Sequence, residues 1–257
     1  MIRLLRNLTG LLGFFLVWEA VVRAGLVDTR FVPPPSEVLT RVVELLGDPT
    51  FIGHVIASVL AWAIAMAISV AIAIPAGLLL GSVPWLRDST RSVIEFLRPI
   101  PSVALIPLVL LVIGSGPEAK ISLAVYAAVW PILFNTIYAL SEIDPVLTET
   151  AKSYGTNKTR MMTSVALPHA APFVFTGIRL SASIALIVVV SVEFLAGANK
   201  GLGQYILEAS SNNNSRMDIV LAGTIVAGVI GYLINDGLER VGRRLFRWST
   251  ADAEATT

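Results

Sequence analysis

Arg98, Arg179 and Glu193 are ionisable side chains set in long apolar runs of the chain. Charged groups in such runs are costly in hydrocarbon and mark solute paths, proton relays or buried pairs. Glu193 can line a path or pair with a neighbouring helix. Arg98 can meet a substrate anion or snorkel to the headgroups. Arg179 precedes Glu193 by nearly four helical turns, so the two lie roughly 21 Å apart and cannot pair on one helix. Pro99 and Pro101, which flank Ile100 next to Arg98, complete the candidate pathway or gate positions.

Covalent and metal chemistry find little support. Cysteine is absent, which removes disulfides, thiolate metal sites and a thiol nucleophile. His54 and His169 are far apart, so a histidine metal site is not indicated. Paired carboxylates and nucleophile–base pairs are also missing, which argues against a membrane enzyme. Gly197-Ala198-Asn199-Lys200-Gly201-Leu202-Gly203 superficially suggests a phosphate cradle. The G-x-x-x-x-G-K-[ST] pattern is absent throughout, so ATP cannot be hydrolysed here by that route. This stretch is expected to be a flexible external loop.

The other polar constellation is Glu149-Thr150-Ala151-Lys152-Ser153-Tyr154-Gly155, with Leu167-Pro168 further on. Asp144-Pro145 is a good helix start, and Val146, Leu147, Thr150, Ala151 and Tyr154 recur at helical spacing. Gly155 is free to adopt positive φ and should stop this helix. Thr156 and Asn157 offer a second cap, and the next helix is predicted to run to about Ala166, where Leu167-Pro168 breaks it. Glu149 lies off the apolar stripe, where it can meet a partner or pair with Lys152, and small Ala151 allows another surface to approach closely. Physics alone also accommodates a plain hairpin joining two spans.

The elements that carry these residues are membrane helices. The chain has 257 residues, 55% of them hydrophobic and only 14% charged, with a net charge of +1. So small an excess suggests no nucleic acid, and the apolar excess suits a lipid-facing chain. Apolar runs near 8–25, 54–80, 92–113, 119–140, 172–195 and 217–238 predict about six spans in an all-α polytopic fold. The first is read as uncleaved, because no clean small-x-small site follows it. Arg98, Pro99, Pro101 and Pro107 interrupt the third, which should be kinked or re-entrant. Basic residues concentrate at the N-terminus, in 141–170 and after the last span, which places these segments and both termini in the cytoplasm. Segment 26–53 is then external. Ser36 can cap a surface helix there, with Val38, Leu39, Val42, Val43 and Leu46 on one face and Gly47 ending it. The helix is either a linker or a contact for an external partner. Residues 249–257 read as a disordered tail on one transmembrane domain, 1–257.

The loop resembles the E-A-A-x3-G-x9-I-x-L-P motif of permease subunits of binding-protein-dependent ATP-binding-cassette (ABC) importers. Glu149, Ala151, Gly155, Leu167 and Pro168 match it in identity and spacing, while Thr150 replaces alanine and Val165 replaces isoleucine. Arg98-Pro99-Ile100-Pro101 with Ala104, Pro107-Leu108 and Gly114 is similar to the third-span signature of the sulfonate, taurine and nitrate permeases. Pro33 to Leu39 and Glu193 to Gly203 resemble further stretches of that subfamily. The resemblance implies a type I importer permease in the bacterial inner membrane, not itself an enzyme. It further implies a second permease copy, two ATPase subunits gripping Glu149–Pro168, and an external solute-binding protein. ATP and Mg would bind the ATPase, and this chain would hold no cofactor. The implied solute is a small anion such as an alkanesulfonate, taurine or nitrate. The rival reading is a secondary transporter or channel, which would need intramembrane carboxylates or broken helices.

Overall fold

In a computed structural model of the chain, residues 2–143, 145–197, 200–211 and 216–246 are described. The expected cap Asp144, loop residues Ala198 and Asn199, Arg247 and the tail 249–257 lie outside them, as do the side chains of Arg3, Arg6 and Lys158. The described residues are helical, with no strand among them. In order come α1 (Ile2–Arg23), α2 (Pro35–Leu46), α3 (Pro49–Ser82) and α4 (Pro84–Leu97). A 3₁₀ turn (Ser102–Leu105), α5 (Ile106–Val112) and α6 (Pro117–Ser141) follow. Then come α7 (Pro145–Ser153), α8 (Lys158–Met161), a π-helical turn (Met162–Ala166), α9 (Leu167–Ala196), α10 (Leu202–Ser211) and α11 (Met217–Leu245). Proline opens many of these helices because its fixed φ suits the first turn, where no N–H is required.

Among the described residues four helices are long and apolar enough to cross a membrane: α3, α6, the π turn with α9, and α11. Counting α4 with the segment Ser102–Val112 makes five, and that pair is bent by 76° at Arg98–Pro101. The bend follows the prolines, as the interrupted third run predicts. The first predicted run lies in α1, 22 residues long, which is not among these five.

The bundle packs through small residues. Ala61, Ala65, Ala73, Ala124, Ala128, Ala182 and Ala185 are buried between α3, α6 and α9. A Cβ on Gly177 of α9 would lie 2.8 Å from the Pro131 carbonyl oxygen of α6, and one on Gly77 of α3 would lie 2.6 Å from Thr136 Cβ. Lipid tails give helices no hydrophobic reason to associate, so close backbone approach and interhelical hydrogen bonds must hold them. Ser181 Oγ donates to the Ala128 carbonyl at 2.6 Å, and Trp62 Nε1 donates to that of Ala182 at 2.9 Å.

Three local expectations are corrected. Ser36 does not cap α2: Pro34 holds the cap position without a side-chain bond. The Glu19 carboxylate of α1 fills that role, accepting from Ser36 N–H at 3.1 Å and Ser36 Oγ at 2.9 Å. An anion at a helix N-terminus satisfies donors that the helix cannot. The buried face of α2 is also different. Val38 and Leu45 pack with Phe51, Leu202, Ile206, Ala222 and Val226, whereas Leu39, Val43 and Leu46 are exposed. A helix with apolar residues on two sides leaves the choice of inner face to its neighbours. Finally, Leu167-Pro168 does not end a helix. Leu167 N–H donates to the Met162 carbonyl five residues back, and the chain runs through this π turn into α9 with Pro168 in its first turn. The wider turn places the proline where its missing N–H costs nothing.

Candidate functional site

Two constellations stand out, at opposite ends of α9, a helix of 30 residues or about 45 Å. At its start lies the polar loop. Thr150, Ala151, Lys152 and Ser153 follow Glu149 in the last turns of α7, Tyr154 comes next, and Gly155 turns the chain with φ +70°. Gly155 N–H donates to the Lys152 carbonyl at 2.9 Å, and Thr156 N–H to that of Ala151 at 3.1 Å. This doubly bonded Schellman ending uses up carbonyls that would otherwise be orphaned. Asn157 caps α8, its Oδ1 accepting from Arg160 N–H at 2.8 Å. The elbow is therefore fixed at both helix ends by local hydrogen bonds. Its outward residues are bare: Tyr154 is 86% exposed and Leu147 47%. Glu149 and Lys152 are exposed and make no ion pair with each other among the described residues. Leu167 and Pro168 stand past the π turn at the foot of α9, so the elbow is continuous with a core helix.

At the far end of α9 sits Glu193, fully buried. Lys120 Nζ, near the start of α6, donates to Glu193 Oε1 at 2.6 Å and to the Lys200 carbonyl at 2.9 Å. Ser58 Oγ of α3 lies 2.7 and 2.9 Å from the two Glu193 oxygens, and Gly203 N–H donates to Oε2 at 3.1 Å. Leu202 N–H donates to Ser58 Oγ at 2.8 Å. His54 Nδ1 lies 2.9 Å from the Gly201 carbonyl oxygen and 3.1 Å from its nitrogen, and the tautomer decides which it bonds. Neighbouring Tyr205 rests edge-on against Phe51, and burial raises its phenol above the usual range. A buried carboxylate needs both a counter-charge and hydrogen-bond donors, and here it has both.

For residues 201–203 this corrects the expectation of a flexible loop. Gly201, Leu202 and Gly203 are buried. A Cβ on Gly201 would lie 2.0 Å from Glu193 Cδ, and one on Gly203 would lie 2.2 Å from the Val190 carbonyl oxygen. These glycines are bare because Glu193 and α9 occupy the space. Sequence reading also missed Lys120 as the partner of Glu193. The signal was present: Lys120 opens the predicted span 119–140, so it was a cation in an apolar run.

The three ionisable pathway candidates are not brought together. Arg179 pairs with Glu239 of α11 at 3.0 Å. Arg98, at the bend with Pro99 and Pro101, places its guanidinium carbon 4.4 Å from the Phe134 ring centre. Glu193 belongs to Lys120. Among the described residues no three His, Cys, Asp or Glu side chains gather as a metal would need.

An all-helical bundle of membrane-length helices, with an exposed elbow at the foot of a core helix, defines the class of polytopic membrane proteins. The sequence profile described as "Binding-protein-dependent transport system inner membrane component" matches residues 73–247, and the chain belongs to that family. It is the membrane-spanning permease subunit of an ABC importer and an integral inner-membrane protein. Among named relatives, it is 31% identical to the taurine transport system permease protein TauC of Escherichia coli over 237 residues, 90% of this chain and 85% of that one. It is 30% identical to the bicarbonate transport system permease protein CmpB of Synechococcus elongatus over 256 residues, 95% and 89% of the two chains. Solved structures share the fold. A chain of the inward-facing MetNI methionine ABC transporter matches with a TM-score of 0.65 at 20% identity, over 75% of this chain and 94% of that one. A chain of a bacterial importer of the polysaccharide alginate matches with a TM-score of 0.63 at 18% identity, over 95% and 96%.

Proposed function

We propose that this permease pairs with a second copy of itself to form the path, and that two separate ATPase subunits grip the α7–α8 elbow from the cytoplasm. Both chain termini then lie on the cytoplasmic side, and an external solute-binding protein delivers a small organic anion such as an alkanesulfonate or taurine, with nitrate as the inorganic variant. ATP and Mg belong to the ATPase, and this chain carries no cofactor. The carrying observation is the elbow itself: a doubly capped, exposed turn that is continuous with a core helix. Such a part transmits force, whereas a slack connection would absorb it. A solute-loaded binding protein must favour one state of the permease for ATP use to be coupled to uptake. The names of the relatives support the anion, and the excess of basic residues at the elbow end supports the orientation.

The ion-gradient alternative has less support, because Glu193, the carboxylate it would use, is held by Lys120, Ser58 and Gly203. The deciding experiment is ATP-driven uptake of labelled taurine or alkanesulfonate into vesicles carrying Gly155→Pro or Glu149→Lys. Both variants should reach the membrane and lose uptake. Normal uptake by both would remove the coupling role.

A further inference from the structure

Beside the Glu193 network a cavity of about 250 Å³ opens between α3 and α6. Ala57, Leu60, Ala61 and Ile64 of α3 and Ile121 of α6 form its apolar wall, and Lys120 and Lys200 line its polar end. We infer that this cavity binds a small organic anion, its charged group against the Lys200 ammonium and its apolar part along α3 and Ile121.

The case begins with charge. Lys120 is neutralised by Glu193, which leaves the cavity with one cation in excess, since Lys200 makes no ion pair among the described residues. An ammonium at the rim of an apolar cavity attracts an anion that can also fill the apolar space. The second argument is backbone geometry. Lys200 holds φ at +102°, a value that side-chain-bearing residues adopt at a cost. Its N–H donates to Gln204 Oε1 at 2.6 Å, and its carbonyl accepts from Lys120 Nζ at 2.9 Å. Both backbone groups are thus pinned, and the side chain starts from a fixed position. The third is space: a Cβ on Gly53 would lie 2.9 Å from Lys200 Nζ, so the glycine leaves room for the ammonium against α3. Lys120 has three N–H donors and uses two of them within the protein, leaving one for a ligand. The cavity is smaller than a drug-sized site and suits a sulfonate or carboxylate on a few carbons, or an anionic phospholipid headgroup with its chain in the groove.

The solute source rests on the proposed reading of the chain as an organic-anion permease; the lipid source does not. The test uses the permease with its co-purifying ATPase, without solute-binding protein, in nanodiscs of phosphatidylcholine. Hexanesulfonate is titrated by calorimetry, and retained phosphatidylglycerol is counted by native mass spectrometry in discs that contain it. Losing one charge-assisted contact should weaken binding about tenfold. That loss is expected in Lys200→Gln, and Ala57→Phe should block the cavity from the apolar side. Hexanesulfonate binding that responds to both variants assigns a solute site, and phosphatidylglycerol retention that responds to both assigns a lipid site. Either result supports the anion cavity. Binding and retention that are absent, or equal in wild type and both variants, would overturn it. If that result accompanies ATP-driven uptake in proteoliposomes supplied with solute-binding protein, the cavity fails while the permease reading stands.

Discussion

Glu193 and Lys120 show how a charge is kept inside a lipid-facing protein. Separately each would be expensive; together, with Ser58 and Gly203 completing the carboxylate, they join α3, α6 and the start of α10 to the end of α9. Removing one partner leaves the other buried and uncompensated, at a cost of about 3–5 kcal/mol. Lys120→Met and Glu193→Gln should each lower the melting temperature of the detergent-solubilised protein, and the double variant should recover much of the loss. Additive losses in this cycle would show that the two residues do not act as a pair. Sequence made Glu193 visible as an odd carboxylate in an apolar run but not its partner, because Lys120 lies 73 residues away on another helix. Gly201 and Gly203 carried the missing information. Glycines beside a buried carboxylate meant close packing, whereas composition alone suggested a loose loop.

At the scale of elements, the elbow and the helix contacts make different demands on glycine. Gly155 has open space around its Cβ position, so only its positive φ matters. Gly155→Val should therefore cost more than Gly155→Asn, since asparagine tolerates the left-handed region, with a difference of about 1–2 kcal/mol. Protease sensitivity of the loop and uptake should follow that order. Gly177 has ordinary helical geometry but meets the α6 backbone. Gly177→Leu should push α6 and α9 apart and cost about 1–3 kcal/mol or more through overpacking. A fully stable, monodisperse Gly177→Leu protein would contradict the close approach. Much of the elbow was legible in the sequence, since caps, glycine and helical spacing are local signals. The π turn was not, because Leu167-Pro168 reads as a stop unless the widened turn before it is known. The bend in the third span was legible from its prolines, but the inner face of α2 was not. Val38, Val42 and Leu45 compete with Leu39, Val43 and Leu46 for that face, and only contact with α3, α10 and α11 decides it.

The whole molecule is an elbow joined to a bundle: α9 runs from the elbow at one end to the Glu193 network at the other. Family membership makes it the membrane subunit of an importer, and the proposed reading has its energy delivered by separate ATPase subunits. The elbow is where that delivery is expected. The natural absence of cysteine gives a clean way to test it. A single Ser153→Cys on α7, the only thiol in the permease, is treated with a short bifunctional cross-linker in native membranes, with and without ATP. One cross-linked product is expected, joining the permease to a polypeptide carrying G-x-x-x-x-G-K-[ST], with a yield that changes with nucleotide. If the chain is recovered uncross-linked and alone while uptake survives ATP depletion, the elbow is not the coupling site.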